Sequence, residues 1–127
     1  MRVLEATVLL VDDDEDARYL LCSALRMRGF NVDVVESAHS CLARLAETPA
    51  AIVVTDVQMP GMTGIELCRE LRGRYPTVMA IVLSGAGTPA VIDAALKLGA
   101  VAFLPKPVSL DALEAAILGA ADLAQQR

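Results

Sequence analysis

The 127-residue chain has no tryptophan, one histidine and only 3% aromatic residues. Its core must therefore come from Val, Leu, Ile, Ala and Met. A hydrophobic content of 55% with 21% charged residues supplies that core and excludes a disordered chain. With His39 as the lone histidine, there is no basis for a zinc cluster or a His-based catalytic triad. Lysine is nearly missing too, contributing two of the eleven basic residues against sixteen acids. A net charge of -5 argues against direct nucleic-acid binding. The three cysteines, Cys22, Cys41 and Cys68, are odd in number and lack metal-ligand spacing. They read as reduced thiols on buried helix faces of a cytosolic protein. Met1-Arg2-Val3-Leu4 runs at once into Glu5, unlike a signal peptide. The longest uncharged stretch, Tyr75 to Ile92, is broken by Pro76, Gly85, Gly87 and Pro89 and is no membrane span. A cytoplasmic location without a membrane partner is expected, and the length suits one domain.

Five runs read as strands: Thr7 to Val11, which suits burial on both faces, Val32 to Val35, weaker and with polar flanks that suit an edge, then the apolar runs Ala51 to Thr55, Val78 to Leu83 and Ala100 to Leu104. Helical signals separate them. Leu21 and Leu25 share a face that Gly29 stops, and Ser37 caps a helix carrying Ala38, Leu42 and Leu45. Ile65, Cys68 and Leu71 give a third face, closed near Gly73. Thr88-Pro89 opens a fourth helix that Gly99 closes, and Ser109 caps a last one with Leu110, Leu113 and Ile117. Five βα units with short connections imply an α/β fold, a doubly wound five-stranded parallel sheet covered on both faces. The leading strand order is 2-1-3-4-5, as in flavodoxin.

In such sheets, ligands sit beyond the carboxyl ends of the strands at the switch point, here between strands one and three. Strand one ends in Asp12-Asp13, strand three in Asp56, strand four in Ser84, and strand five runs into Lys106. With strands about 4.8 Å apart, Lys106 starts about 10 Å from Asp56, a gap that a long flexible side chain largely covers. Two like charges 4 Å apart repel by about 4 kcal/mol at an effective dielectric near 20. Three carboxylates facing one ammonium are under-compensated, so either pKa values rise or a divalent cation enters. The candidate ligands are all oxygens, which favours Mg²⁺ over Zn²⁺. Asp56 is then a candidate carboxylate nucleophile, forming an aspartyl phosphate.

At these residues the chain resembles the receiver domains of two-component response regulators. The resemblance lies in Val11-Asp12-Asp13-Asp14, in Thr55-Asp56-Val57-Gln58-Met59-Pro60-Gly61-Met62-Thr63-Gly64, in Leu83-Ser84-Gly85 and in Phe103-Leu104-Pro105-Lys106-Pro107. It extends from about Thr7 to Ala121 and implies a single receiver domain over 1–127, with no output domain in this chain. It further implies that Asp56 takes a phosphoryl group from the phosphohistidine of a sensor histidine kinase or phosphotransfer protein. Asp13, Asp56 and the backbone carbonyl of Gln58 would bind Mg²⁺ directly, and Asp12 through water. Lys106 would pair with a phosphoryl oxygen and Ser84 would hydrogen bond another, drawing its loop inward. Phe103 would then turn inward and repack the face of helix four, strand five and helix five, where a downstream target or output domain docks. A phosphorylation-dependent homodimer is among the expected assemblies, and Lys106-Pro107 is expected to be cis. Such a module promotes only its own phosphorylation and dephosphorylation.

Some positions depart from the family pattern or have plainer readings. Ser84 stands where Thr is frequent, and Phe103 where Tyr is frequent. Gln58 and Ala86 occupy two positions that tune water access to the phosphoryl group. Asp14, Glu15 and Asp16 read as a solvated helix start, Pro60, Gly61 and Gly64 as loop punctuation, and His39 as incidental. One alternative function is a phosphorylation-independent interaction module on the same fold. Another is a phosphohydrolase of the haloacid-dehalogenase type, which usually needs a general acid where Gln58 stands. A nucleotide-binding enzyme would need a phosphate-cradling glycine loop after strand one, which is missing here.

Overall fold

A computed structural model of the chain describes residues 7–85 and 87–125, so Ala86 and the Met1–Glu5 stretch lie outside the described residues. Five strands alternate with five helices: β1 (Thr7–Val11), α1 (Glu15–Met27), β2 (Asn31–Val35), α2 (Ala38–Glu47), β3 (Ile52–Asp56), α3 (Gly64–Arg74), β4 (Met79–Ser84), α4 (Pro89–Lys97), β5 (Ala100–Pro105) and α5 (Leu110–Gln125). The strands form one parallel sheet in the order β2-β1-β3-β4-β5, as expected. Among the described residues, no helix is long and apolar enough to cross a membrane.

Alternation along the central strands divides the core in two. Val8, Leu10, Ile52, Val54, Met79, Ile81 and Leu83 face α1 and α5, where they meet Cys22, Leu25, Leu113 and Ile117. Leu9, Val11, Val53, Ala80 and Val82 face the other way, onto Cys41, Leu42, Leu67, Cys68 and Ala95 of α2, α3 and α4. All three cysteines are buried free thiols. Burial pushes the thiol of Cys41 up to about 12 and that of Cys68 to about 11, so both stay protonated and behave as small apolar groups.

β5 breaks its alternation once. Ala80 pairs with Ala100 but Ile81 pairs with Ala102, so Val101 is an extra residue. This bulge places Val101 and Ala102 on the α1/α5 side in succession. From there the alternation resumes with Phe103 on the α2/α3/α4 side and Leu104 on the α1/α5 side. At the opposite edge, two outward backbone groups of β2 are occupied by side chains. Arg26 donates to the carbonyl of Val32 at 2.7 Å, and the Val34 N–H donates to Asp33 Oδ1 at 3.0 Å. The other oxygen of Asp33 pairs with Arg44 of α2.

Caps fix the helix starts at the site end of the sheet. Asp14 accepts the N–H groups of Asp16 and Ala17, and Thr88 that of Val91. Thr63 and Glu66 form a reciprocal capping box at α3. The β3–α3 loop is drawn tightly back onto the strand that precedes it. Met59 is buried in the core, and the Gly64 N–H donates to the Val57 carbonyl at 2.9 Å. A Cβ at Gly64 would stand 2.1 Å from the main-chain oxygen of Asp56, so only glycine fits. Gly64→Ala is expected to destabilise the fold by about 1–3 kcal/mol. Gly73, in the last turn of α3, has nothing within 4 Å of such an atom. There the same change should stabilise by about 0.5–1 kcal/mol. Urea midpoints of the two variants should therefore move in opposite directions.

Candidate functional site

The ends of β1 and β3 bring Asp12, Asp13 and Asp56 together, with one carboxylate oxygen of each within 4.8 Å of the others. Asp12 is buried, Asp56 half-buried and Asp13 exposed. Lys106 follows the end of β5, where its N–H donates to the carbonyl of Ser84 at 2.9 Å and its peptide to Pro107 is cis. Its side chain crosses the intervening strand as expected. The Nζ lies 2.6 Å from Asp56 Oδ2 and 4.0 Å from Asp12 Oδ2. The remaining oxygens of these acids meet backbone donors. Asp14 N–H donates to Asp12 Oδ1 at 3.0 Å, and Gln58 N–H to Asp56 Oδ1 at 3.3 Å. The second bond brings the Gln58 main chain to the site.

Ser84 is buried at the end of β4, one residue beyond Leu83, the register partner of Asp56. Phe103 sits opposite Val82 and is half-buried against the α2/α3/α4 core. A Cβ on Gly87 would stand 2.8 Å from the edge of the Phe103 ring. The loop after Ser84 and the ring are therefore in direct contact.

Burial is the main force raising the Asp12 pKa above the usual carboxylate value, with the nearby charges of Asp56 and Asp13 adding to it. The Asp14 N–H and the Lys106 charge oppose that rise. For Lys106, burial works against the ammonium. The hydrogen bond to Asp56 and the fields of Asp56, Asp12 and Asp13 outweigh it, so its pKa lies above the ordinary lysine value. The single cation does not balance three acids, and Asp12 retains an elevated proton affinity. The donor set suits a small hard cation, because oxygens bound at about 2.0–2.1 Å to one Mg²⁺ stand about 3–4 Å apart. The three carboxylates need only small side-chain adjustments to reach that spacing.

An apolar cleft of about 520 Å³ runs from Asp12 and Lys106 along α1, walled by Leu20, Leu21, Ala24, Pro107 and Val108. Beside it, α1 exposes Tyr19, Leu20 and Met27. Nothing in the sequence reading singled out this stripe. Gly64 and Gly87, whose close contacts constrain the site, were legible only as loop glycines. Asp14 caps α1 and His39 is exposed, both in keeping with their plain readings.

Residues 8–118 match the family described as the response regulator receiver domain. The transcriptional regulatory protein FixJ of Rhizobium meliloti is 39% identical over 114 residues, covering 87% of this chain and 56% of FixJ. The crystal structure of FixJ-N has a TM-score of 0.87 at 36% identity and covers 96% of both chains. The receiver domain dimer of beryllofluoride-activated NtrC4 gives a TM-score of 0.87 at 28% identity, over 93% of this chain and 98% of that one. The chain spans 23% to 62% of the lengths of the curated relatives it matches. Acids, hydroxyl and amine at the ends of four parallel strands thus occur within a fold and sequence shared along nearly the whole chain, which belongs to the response regulator receiver domains, the phosphoacceptor modules of two-component systems.

Proposed function

We propose that Asp56 is the phosphoacceptor and that Asp12, Asp13, Lys106 and Ser84 serve its reaction. The observation that carries this reading is the convergence of the three carboxylates with the Lys106 ammonium, 2.6 Å from Asp56. An oxygen of Asp56 attacks the phosphorus of a phosphohistidine. The new O–P bond forms as the P–N bond breaks, and the imidazole leaves. Mg²⁺, held by Asp13, Asp56 and the Gln58 carbonyl, with Asp12 through water, would supply the positive charge that offsets the phosphoryl oxygens. Lys106 now neutralises Asp56 and is placed to follow the negative charge outward onto a phosphoryl oxygen. The Gln58 N–H steadies the other carboxylate oxygen. Gln58 is no general acid, which disfavours turnover of external phosphate esters and leaves self-phosphorylation and self-hydrolysis as the chemistry.

Ser84 is the hydroxyl that senses the new group, donating to a phosphoryl oxygen. Its movement draws the following loop, and the Gly87–Phe103 contact carries that displacement to the ring. The surface of α4, β5 and α5 is then repacked by a population shift, and a downstream protein or output domain reads it. The dimer formed by the activated NtrC4 receiver supports a phosphorylation-dependent homodimer as one such state. The phosphodonor, a sensor histidine kinase or phosphotransfer protein in the cytoplasm, docks on the other side. The exposed Leu20 and Met27 and the apolar cleft that ends at Asp12 and Lys106 offer it a docking surface.

Three outcomes are expected. With a small phosphodonor and Mg²⁺, intact-protein mass spectrometry shows one phosphoryl adduct on the native chain and none on Asp56→Ala. An undiminished adduct on the variant would refute the assignment. Leu20→Asp slows transfer from a phosphohistidine partner about tenfold. It leaves the rate with the small phosphodonor unchanged, because only docking is lost. Gly87→Ala shifts the Phe103 ring resonances in the NMR spectrum of unphosphorylated protein, since the added methyl occupies the place of the ring edge.

A further inference from the structure

Arg18 has no part in the roles assigned above. It lies on α1, half-buried, and its Nη1 donates to the main-chain carbonyl of Asp12 at 2.8 Å. Among the described residues no salt bridge includes it, although a cluster of carboxylates is close by. The carbonyl it holds lies just past the end of β1 at Val11, and it belongs to the peptide that joins Asp12 to Asp13. Every other polar atom of Asp12 is engaged. Its N–H donates to the Val35 carbonyl at 3.2 Å, Oδ1 accepts from Asp14, and Oδ2 faces Lys106. Asp13 is different. Its side chain is exposed, and no hydrogen bond among the described residues steadies its carboxylate. The backbone is left to set its direction. The Asp14 N–H to Asp12 Oδ1 bond closes the turn across it, and among the described residues the Arg18 bond alone holds the carbonyl of the Asp12–Asp13 peptide.

The geometry points to Arg18 as a positioning residue for the metal: its hydrogen bond to the Asp12 carbonyl fixes the peptide between the two acids and so aims the Asp13 carboxylate into the site. This rests on the reading of Asp12, Asp13 and Asp56 as the cation site. Outer partners of this kind hold ligands in the binding geometry, and their loss commonly weakens metal affinity tenfold or more. The sign of the effect separates positioning from simple charge. Removing a cation near three acids strengthens uptake of a divalent ion if only the field matters. Removing a positioning bond weakens it.

The test uses the whole chain and Mn²⁺ alone, with free ion counted by electron paramagnetic resonance at fixed ionic strength. Arg18→Met keeps the apolar stem and loses the donor. It is expected to bind Mn²⁺ about tenfold more weakly than the native chain. Arg18→Lys is expected to restore most of the affinity, because one N–H to a carbonyl does not need the guanidinium fork. In an Asp13→Asn background, Arg18→Met should weaken binding no further. Equal or tighter binding by Arg18→Met would overturn the inference, as would a full additional loss in the Asp13→Asn background. Native protein that takes up no Mn²⁺ would overturn both this and the cation site. Native uptake matched by Arg18→Met would overturn this alone. Urea midpoints read beside each titration identify variants that do not fold, and Arg18→Gln then carries the same comparison.

Discussion

Mutual repulsion among Asp12, Asp13 and Asp56 is the constraint around which the rest of the molecule is arranged. Like charges separate unless something rigid holds them, and here each acid sits at or just past the end of a central strand buried on both faces. The sheet resists the separation, and the surroundings reduce its cost. Lys106 meets one oxygen of Asp56, while the N–H groups of Asp14 and Gln58 meet an oxygen of Asp12 and of Asp56. Burial still raises the Asp12 pKa above its ordinary value. The protein's own groups thus form a polarised socket, with more acid than Lys106 balances. That surplus is what the proposed divalent ion would offset, and the ion would in turn favour the proposed phosphoryl group beside Asp56.

The same convergence ties the proposed chemistry to its proposed readout. Lys106 is anchored through its N–H to the carbonyl of Ser84, so the amine and the hydroxyl rest on neighbouring backbone. The loop that follows Ser84 touches the Phe103 ring at Gly87. A displacement of Ser84 therefore has a short mechanical path to the outer face of β5. On the other side, Lys106 and Asp12 open directly into the cleft beside α1. One site thus has two exits, one to each face of the sheet.

Much of this was legible in the sequence because the relevant signals are strong and local. Short apolar runs ending in acid, hydroxyl or amine placed the strands within a residue or two and put the polar groups on one edge. Thr88-Pro89 and Ser37 marked helix starts by capping chemistry alone. The residues that escaped notice act over distances a linear reading does not span. Arg18 looks like any helix-surface arginine until its hydrogen bond across the β1–α1 turn is seen. Gly64 reads as punctuation, whereas its role is to let α3 begin against the oxygen of Asp56. The bulge at Val101 leaves no mark either, since Ala100 to Leu104 is uniformly apolar. Counting by twos from Ala100 puts Phe103 on the wrong face.

The treatment of the two outermost strands has a consequence for how copies of this molecule can meet. An open parallel sheet ends in rows of unused peptide groups, which invite another chain to extend it. At β2, Arg26 and Asp33 occupy the outward carbonyl of Val32 and N–H of Val34. At β5, the extra residue spoils the regular spacing that a docking strand would need. Contact between copies is thereby steered away from continuous intermolecular sheets and toward side-chain surfaces. A homodimer of the proposed kind would therefore rest on side-chain surfaces rather than on a shared sheet.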